Sequence, residues 1–360
     1  MKTYTSLLAL SAFILLQTNL FASETSTITV TVPKPPKVNV TVPSVELVVD
    51  GKNVSRKSDV TEKEMVETKE VKGEKEQNTS AYGIIEGQRY PPNYFKKAES
   101  VKEKKAEVGE VENARIAAYL QAPLMGEDEA KAKLEKAGFR VIASFKVDKK
   151  GKVKSLVFTD DKLVAKASKQ GRGFAANLRL LVDGINGQIS ISNPVYVQKA
   201  FLQDDFDETL ANETLKRLRE NFEGLKNSKD VVKFIRLPRY KFMNGMPVYE
   251  DMVVVKKGSN DALLQKARKS KKVVFEQKLE NGSTLLGVKL SKRTSKFVKK
   301  IGYQNGELLP YPVLIEDGKA YALAPKYYIA VMYPLLSMSE FMTIATVPGA
   351  INKDLDKIFR

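Results

Sequence analysis

The sequence contains the same pattern of turn and helix-start residues twice. The stretch GQISISNPVYVQKAFL (Gly187–Leu202) returns in altered form as GKAYALAPKYYIAVMY (Gly318–Tyr333), 131 residues later. At this one offset five positions recur, in the pairs Gly151 and Gly282, Gly171 and Gly302, Gly187 and Gly318, Pro194 and Pro325, and Tyr196 and Tyr327. Glycine suits turns that need positive φ, and proline suits the first turn of a helix. The pattern predicts one module copied in tandem, since solenoids repeat every 20 to 50 residues or so.

The residues between these positions predict the order of elements in each copy. In the first copy, GEDEAKAKLEKAG (Gly126–Gly138) has acids in its first turn, lysines later and a glycine stop, which is typical of a helix. The strands FRVIASFKV and KVKSLVF flank the turn DKKG, and a second helix covers Asp160–Gly171. Two more strands lead to a helix capped by Asn193 and begun by Pro194. The second copy repeats this order from MPVYEDMVVVKK to a helix that begins at Pro325.

Two further expectations concern the joint between the copies. A longer amphipathic helix closes the first copy, with one apolar face formed by Phe206, Leu210, Leu218, Phe222 and Leu225. After it, VVKFIRLPRYKF is predicted to pair with the first strand of the second copy as a hairpin, through the turn Asn244-Gly245. We therefore place the first domain at residues 113–229 and the second at residues 230–360.

The N-terminal quarter differs in composition from the rest. Residues 1–22 contain a lysine, the apolar run SLLALSAFILL and small residues, which predicts a secretory signal peptide cleaved near Ala22. The alternative is an uncleaved inner-membrane anchor formed by Ser6–Ala22. Residues 23–112 alternate Val and Thr around prolines and then become rich in Lys and Glu, which predicts an extended, disordered, charged arm. Because the chain has no cysteine for disulfides or lipid attachment, we expect a bacterial protein exported to the periplasm.

The run SLVFTDDKLVAKASKQGRGFAANLRLLVDGINGQISISNPVYV (Ser155–Val197) resembles the family called domain of unknown function 302. YPVLIEDGKAYALAPKYY in the second copy is similar but more divergent, and the resemblance covers most of residues 113–360. It implies an α+β fold class, with two tandem β-α-β-β-α-β-β modules whose helices pack on one face of mainly antiparallel sheets. Many family members carry cysteines before the first helix and before the hairpin, and this chain has none. No thiol or metal role is therefore carried over, and the family supplies no established activity.

The net charge of +17 lies entirely on residues 113–360. Exported proteins meet little nucleic acid, and the chain lacks basic stretches interleaved with aromatic residues, so we expect no nucleic-acid partner. The densest basic runs are KARKSKK and KLSKRTSKFVKK. They indicate a patch for anionic envelope lipids or another envelope protein, or else a solvated surface with no specific ligand. The candidate anion-binding residues are Lys266, Arg268, Lys269, Lys271, Lys272, Lys292, Arg293 and Lys296.

The absence of His and Cys excludes the usual catalytic triads, cysteine nucleophiles, zinc sites and haem ligation. QDDFDE, from Gln203 to Glu208, could hold a divalent cation through its carboxylates, but acids at the start of a helix are the simpler interpretation. GRGFAA (Gly171–Ala176) matches a loose dinucleotide-binding pattern with a helix before it and a strand after it, the reverse of the required order. We therefore assign no catalytic residue, cofactor or metal, and expect a protein that is not an enzyme.

The most apolar stretch beyond the signal runs from Tyr327 to Ile351. It suits core packing, and it is also the best place for an apolar ligand pocket, because Met and Tyr adapt to such sites. The candidate pocket residues are Tyr327, Tyr328, Met332, Tyr333 and Met338.

Together these features predict a non-catalytic envelope protein, a binding or structural module built as an internal pseudo-dimer. The alternative is a periplasmic binder of an apolar or anionic small molecule, or an enzyme independent of His and Cys, with a pocket between the two halves. A convergent polar cluster between the halves would favour the small-molecule binder or enzyme. Interdigitated apolar side chains there would favour the non-catalytic module.

Overall fold

A computed structural model describes residues 106–360 and two short strands, β1 (Gly83–Ile85) and β2 (Gln88–Tyr90). The two strands pair antiparallel, with Ile84 opposite Arg89. The predicted signal peptide lies outside the described residues, as does the rest of the predicted arm up to residue 105.

The first half forms a six-stranded antiparallel sheet and contributes one strand to a smaller sheet. Its strands are β3 (Arg115–Ala117), β4 (Tyr119–Pro123), β5 (Arg140–Lys146), β6 (Val153–Thr159), β7 (Leu178–Asp183), β8 (Gln188–Ser192) and β9 (Lys226–Asn227). The order across the large sheet is β5-β6-β7-β8-β4-β9. Residues of β7 are buried at all six positions, so both faces of the sheet centre are covered.

The helices of the first half begin where the sequence predicts. They are α1 (Glu127–Lys136), α2 (Asp161–Ala167), α3 (Pro194–Leu202) and α4 (Glu208–Asn221), with 3-10 segments at Gly173–Ala176 and Gln203–Asp205. The side chain of Asn193 accepts a hydrogen bond from the Val195 amide, as expected of a cap before Pro194. The predicted apolar face of the longer helix is partly wrong. Phe206, Phe222 and Leu225 lie outside α4, whose buried residues include Ala211, Leu215 and Leu218.

The predicted hairpin between the halves is wrong. Strand β10 (Val231–Lys233) pairs with β3, with Val232 opposite Ile116, and residues 239–252 form no strand. Proline has no amide hydrogen to donate, so Pro238 within the predicted strand disfavours a ladder there. The connecting segment is instead anchored by side chains, since Leu237 and Tyr249 are fully buried.

The second half forms a five-stranded antiparallel sheet from β11 (Val253–Lys257), β12 (Val273–Lys278), β13 (Thr284–Val288), β14 (Tyr311–Glu316) and β15 (Lys319–Ala322). Its order is β12-β13-β14-β15-β11, which corresponds strand for strand to β5-β6-β7-β8-β4. The helices are α5 (Asn260–Lys269), α6 (Phe297–Ile301), α7 (Pro325–Met332), α8 (Met338–Thr343) and α9 (Val347–Asp356), with 3-10 segments at Thr294–Lys296, Tyr303–Leu308 and Lys357–Phe359. The α+β class with antiparallel sheets is confirmed.

The two halves contact each other reciprocally. Gly173, in a 3-10 segment of the first half, lies so close to Leu314 of β14 that a Cβ atom would clash. Gly306, in a 3-10 segment of the second half, approaches Leu181 of β7 in the same way. Each half therefore packs a 3-10 segment against the sheet of the other half.

Candidate functional site

The two basic runs of the second half lie side by side. The carbonyl oxygen of Lys272, after α5, accepts a hydrogen bond of 2.8 Å from the amide of Lys289, after β13. Beneath them, the buried carboxylate of Asp354 accepts a 2.9 Å hydrogen bond from the amide of Ser291. Burial would raise the pKa of Asp354, but hydrogen bonds from Thr294 and Ser291 and the charge of Lys272 hold this pKa below its usual value. One buried anion thus joins both runs.

We call the eight predicted anion-binding residues the basic face: Lys266, Arg268, Lys269, Lys271, Lys272, Lys292, Arg293 and Lys296. All are exposed except Lys272, which is half-buried. Arg268 forms a two-pronged pair with Glu276, at 2.7 Å for the shortest contact, and the other seven have no ion pair with any carboxylate of residues 106–360. Residues 253–300 hold 14 Lys or Arg and three Asp or Glu. The basic face therefore concentrates positive charge that the protein itself leaves largely unpaired.

The predicted ligand-pocket residues differ in their exposure to solvent. Tyr327, Tyr328, Met332 and Tyr333 are buried, whereas Met338 is 43% exposed on α8. The ring of Tyr328 lies 5.1 Å from the ring of Tyr311 in edge-to-face packing, which is typical of a filled core. Three surface hollows, of 440, 520 and 650 Å³, are lined by residues of the first half and by none of these five side chains.

Tyrosines from three distant parts of the chain cap the carboxyl end of α7. The carbonyl oxygens at a helix end lack partners within the helix. Here Tyr240 donates to the oxygen of Ala330 at 3.1 Å, Tyr196 donates to that of Val331 at 2.6 Å, and Tyr119 donates to that of Met332. Burial raises the pKa of Tyr240 to about 12 and places the pKa values of Tyr119 and Tyr196 well above their usual range. The three hydroxyls therefore stay protonated and act as donors.

Removal of one such cap has a measurable expected cost. Tyr196→Phe should lower the free energy of unfolding by about 1–2 kcal/mol, because it leaves the buried carbonyl of Val331 without its donor. Urea denaturation measures this change. Tyr303→Phe is the matched control, since the Tyr303 hydroxyl makes no hydrogen bond to any residue of 106–360. Equal stability of the two variants would contradict a capping role.

A polar cluster that the sequence analysis missed lies between the halves. Buried Arg179, on β7, donates to the carbonyl oxygens of Glu307 and Pro310, the latter at 2.7 Å. Ser192 Oγ, on β8, lies 2.6 Å from Glu307 Oε2. The signals in the sequence are slight: one arginine inside the apolar strand LRLLVD and one glutamate before LLP. Both ionisable side chains therefore lie where the two halves meet.

Burial is the main influence on the pKa of the Glu307 carboxyl. Full burial raises the pKa of Glu307 to about 8, although hydrogen bonds from Ser192 and Ser190 and the charge of Arg179 act to lower it. Around neutral pH this carboxyl therefore retains its proton. The cluster therefore consists of a protonated carboxyl, that of Glu307, beside the guanidinium of Arg179, both buried between the two halves.

The acidic run QDDFDE, from Gln203 to Glu208, forms ion pairs and a helix cap within the fold. Asp205 pairs with Lys169 and Arg172, and Asp207 caps α4 through the amide of Leu210. Within residues 106–360 no group of three or more acidic side chains is arranged to hold a metal ion. In the GRGFAA stretch, the 3-10 segment Gly173–Ala176 leads into β7, so no helix N-terminus faces a phosphate position.

No family model matches the chain, and no curated protein or solved structure matches it either. The resemblance to domain of unknown function 302 therefore stays a prediction. Across the part of the chain that the structure describes, every helix is too short or too polar to cross a membrane.

Proposed function

We propose that the chain is an exported, non-catalytic binding module of the periplasm that docks on anionic envelope lipids through the basic face. The observation that carries this proposal is the meeting of two basic runs on one exposed surface, seven of whose eight cations lack an ion pair within residues 106–360. Phosphate headgroups of phospholipid or lipopolysaccharide supply the missing negative charge.

The energetics suit a reversible surface contact. Each Lys or Arg near an anionic membrane contributes about 1 kcal/mol, and salt screens this attraction within about 8 Å at physiological ionic strength. The six exposed cations of the basic face that lack an ion pair within residues 106–360 are therefore sufficient for docking without any inserted helix. Because lysine ammonium groups are flexible point charges, the face should select membrane charge and not one headgroup structure.

The body that carries the basic face is, in this proposal, an internal pseudo-dimer of two copied modules. The corresponding strand orders and the reciprocal approach of Gly173 and Gly306 to the opposite sheets support it. The edge strands β5 and β12, which occupy the same place in the two orders, also lie within contact distance of each other. Two similar modules that cover each other's sheets need no further subunit to complete the core.

Vesicle co-sedimentation tests the docking surface. The protein lacking residues 1–22 should bind vesicles of equal phosphatidylglycerol and phosphatidylcholine in 50 mM salt and leave pure phosphatidylcholine vesicles unbound. Replacing Lys269, Lys271, Lys292 and Lys296 with glutamine should weaken binding about 1000-fold, at about 1 kcal/mol per cation.

The control variant carries the same charge change on the first half. Lys136, Lys149, Lys150 and Lys152 are exposed and have no ion pair with a carboxylate of residues 106–360, so their replacement with glutamine removes equal charge elsewhere. Docking through the basic face leaves this variant bound nearly as well as the natural sequence. Equal weakening of both variants would show that net charge alone governs binding and would refute the proposed face.

A second candidate function is favoured by the Arg179–Glu307 cluster between the halves. A buried cation beside a protonated carboxyl is the kind of polar pair that orients a small anionic molecule. Native mass spectrometry of protein purified from its own envelope separates the two candidates. A stoichiometric metabolite that is lost in Arg179→Met would favour a binding site between the halves, whereas co-purified anionic lipid that is lost in the basic-face variant favours surface docking.

A further inference from the structure

An exposed apolar surface adjoins the second half's basic segment. The side chains of Met243, Met338 and Met342 are exposed, by 43%, 43% and 63% respectively, and we call them the methionine patch. Single exposed apolar side chains are ordinary, but a group of this kind marks an interaction surface.

Local structure holds the patch together. Met338 and Met342 are four residues apart on α8, so they project from the same side of that helix. The ring of Phe341 lies 5.5 Å from the ring of Phe242, which brings Met243 beside α8. A capping box between Ser337 and Glu340 fixes the first turn of α8. The methionine patch therefore lies on a helix whose position is fixed by its cap and by aromatic packing.

The surroundings of the patch are depleted of charge. From Pro334 to Asn352 the only charged residue is Glu340. Its carboxylate accepts hydrogen bonds from the Ser337 amide at 2.9 Å and from the Tyr333 hydroxyl at 3.0 Å. Ser339, Thr343, Ala345 and Thr346, which are exposed nearby in the sequence, are small and neutral. Such a surface can leave water without desolvating unpaired charges.

Positive charge borders this neutral surface. Lys300 Nζ, on α6, donates a 3.1 Å hydrogen bond to the carbonyl oxygen of Thr343 at the end of α8. Lys299 is exposed next to it, and Lys296 of the basic face lies one helical turn earlier. An apolar surface edged by lysines matches the boundary between headgroups and acyl chains of an anionic bilayer, where apolar side chains enter and cations remain among phosphates.

We infer that the methionine patch is the part of this protein that enters the lipid interface when the basic face docks, so that the partner is an anionic bilayer surface. This inference rests on the proposed function. The cations supply salt-sensitive attraction, and the patch adds apolar burial that salt does not screen. Peripheral binding would then combine two signals on neighbouring elements of the second half.

Salt titration of vesicle binding distinguishes the two contributions. Replacing Met338 and Met342 with serine should weaken binding to the phosphatidylglycerol-containing vesicles about tenfold at both 50 and 500 mM salt. A plot of log affinity against log salt concentration is then displaced downward with its slope unchanged. The basic-face variant should instead flatten that slope. Ile185→Ser is the control, because Ile185 is an exposed apolar residue of the first half. An unchanged affinity of the Met338/Met342 variant would overturn the inference and leave the proposed function standing.

A position-specific probe gives a second readout, since the chain contains no cysteine to compete for the label. A polarity-sensitive fluorophore attached through Met342→Cys should shift to the blue when these vesicles are added, and one attached through Ile185→Cys should not. A probe at position 342 that stays in water while the protein is bound overturns the inference alone. A blue shift without lipid that grows with protein concentration overturns it in favour of a second copy of the chain. Absence of any binding at 50 mM salt refutes the proposed function and the inference together.

Discussion

Arg179→Ala is expected to lower the free energy of unfolding by about 3–5 kcal/mol. Arg179 is 7% exposed and donates to two carbonyl oxygens of the other half, at Glu307 and Pro310. Each buried acceptor left without a donor costs about 1–3 kcal/mol. The alanine side chain fills little of the vacated space, so a packing loss adds to the loss of hydrogen bonds.

Urea denaturation of the protein lacking residues 1–22 measures this change at pH 7. Arg140→Ala is the matched control, because the Arg140–Asp161 pair is exposed at 2.7 Å and such pairs contribute at most about 1 kcal/mol. Arg179→Lys should fall between the two, since lysine retains the charge but cannot reach both carbonyls as a planar fork does. A loss for Arg179→Ala no larger than that for Arg140→Ala would show that the halves do not depend on this contact.

The locally encoded parts of the fold were predictable from the sequence. Gly187 and Gly318 have φ values of 71° and 70°, as expected of glycines in turns that need positive φ. Asn193 and Pro194 begin α3 because a side-chain cap and a missing amide hydrogen act within one turn of the chain. These features depend on residues that are neighbours in sequence, so their pattern carries the information.

The parts that depend on distant residues were not predictable. Val231–Lys233 looked like one arm of a local hairpin, but β10 pairs with β3, more than 100 residues earlier. The donors that cap α7 come from Tyr119, Tyr196 and Tyr240, and no spacing rule connects them to its last turn. Tertiary packing decides such contacts and overrides local propensity.

The candidate docking site also has a part that was visible in the sequence and a part that depends on distant residues. The two basic runs are visible in the sequence as charge, but their adjacency depends on the contact between Lys272 and Lys289 and on Asp354 beneath. The methionine patch was partly visible too, since Met338 was noted as a ligand-pocket residue. The sequence did not separate this exposed side chain from the buried tyrosines, because hydrophobicity alone does not show which side of a short helix faces outward.

The stability of the protein should fall as the pH rises from about 4.5 to about 8, because of Glu307. Burial raises the pKa of this carboxyl from 4.5 to about 8 in the folded state. Below pH 4.5 both states hold the proton, so no difference arises. Between the two pKa values the unfolded chain releases the proton and the folded protein retains it, which lowers the free energy of unfolding by up to about 1.4 kcal/mol per pH unit. Above pH 8 the loss, of about 4–5 kcal/mol in total, levels off.

Glu307→Gln removes this titration and keeps a neutral side chain that can hydrogen-bond to Ser192. Its free energy of unfolding, measured by urea denaturation from pH 5 to pH 8.5, should therefore fall less steeply than that of the natural sequence, and it should be the more stable protein at pH 8. Some slope will persist, since burial also raises the pKa values of Asp230 and Glu316. Glu127→Gln is the control. Burial acts to raise the pKa of Glu127, but hydrogen bonds from Lys131 and Lys154 hold this pKa at about 2. Glu127 therefore does not titrate between pH 5 and pH 8.5, and the stability of this variant should fall with pH as steeply as that of the natural sequence. If the Glu307→Gln curve runs parallel to that of the natural sequence, the carboxyl is already ionised in the folded protein, and the contact between the halves holds a charged pair and not a proton.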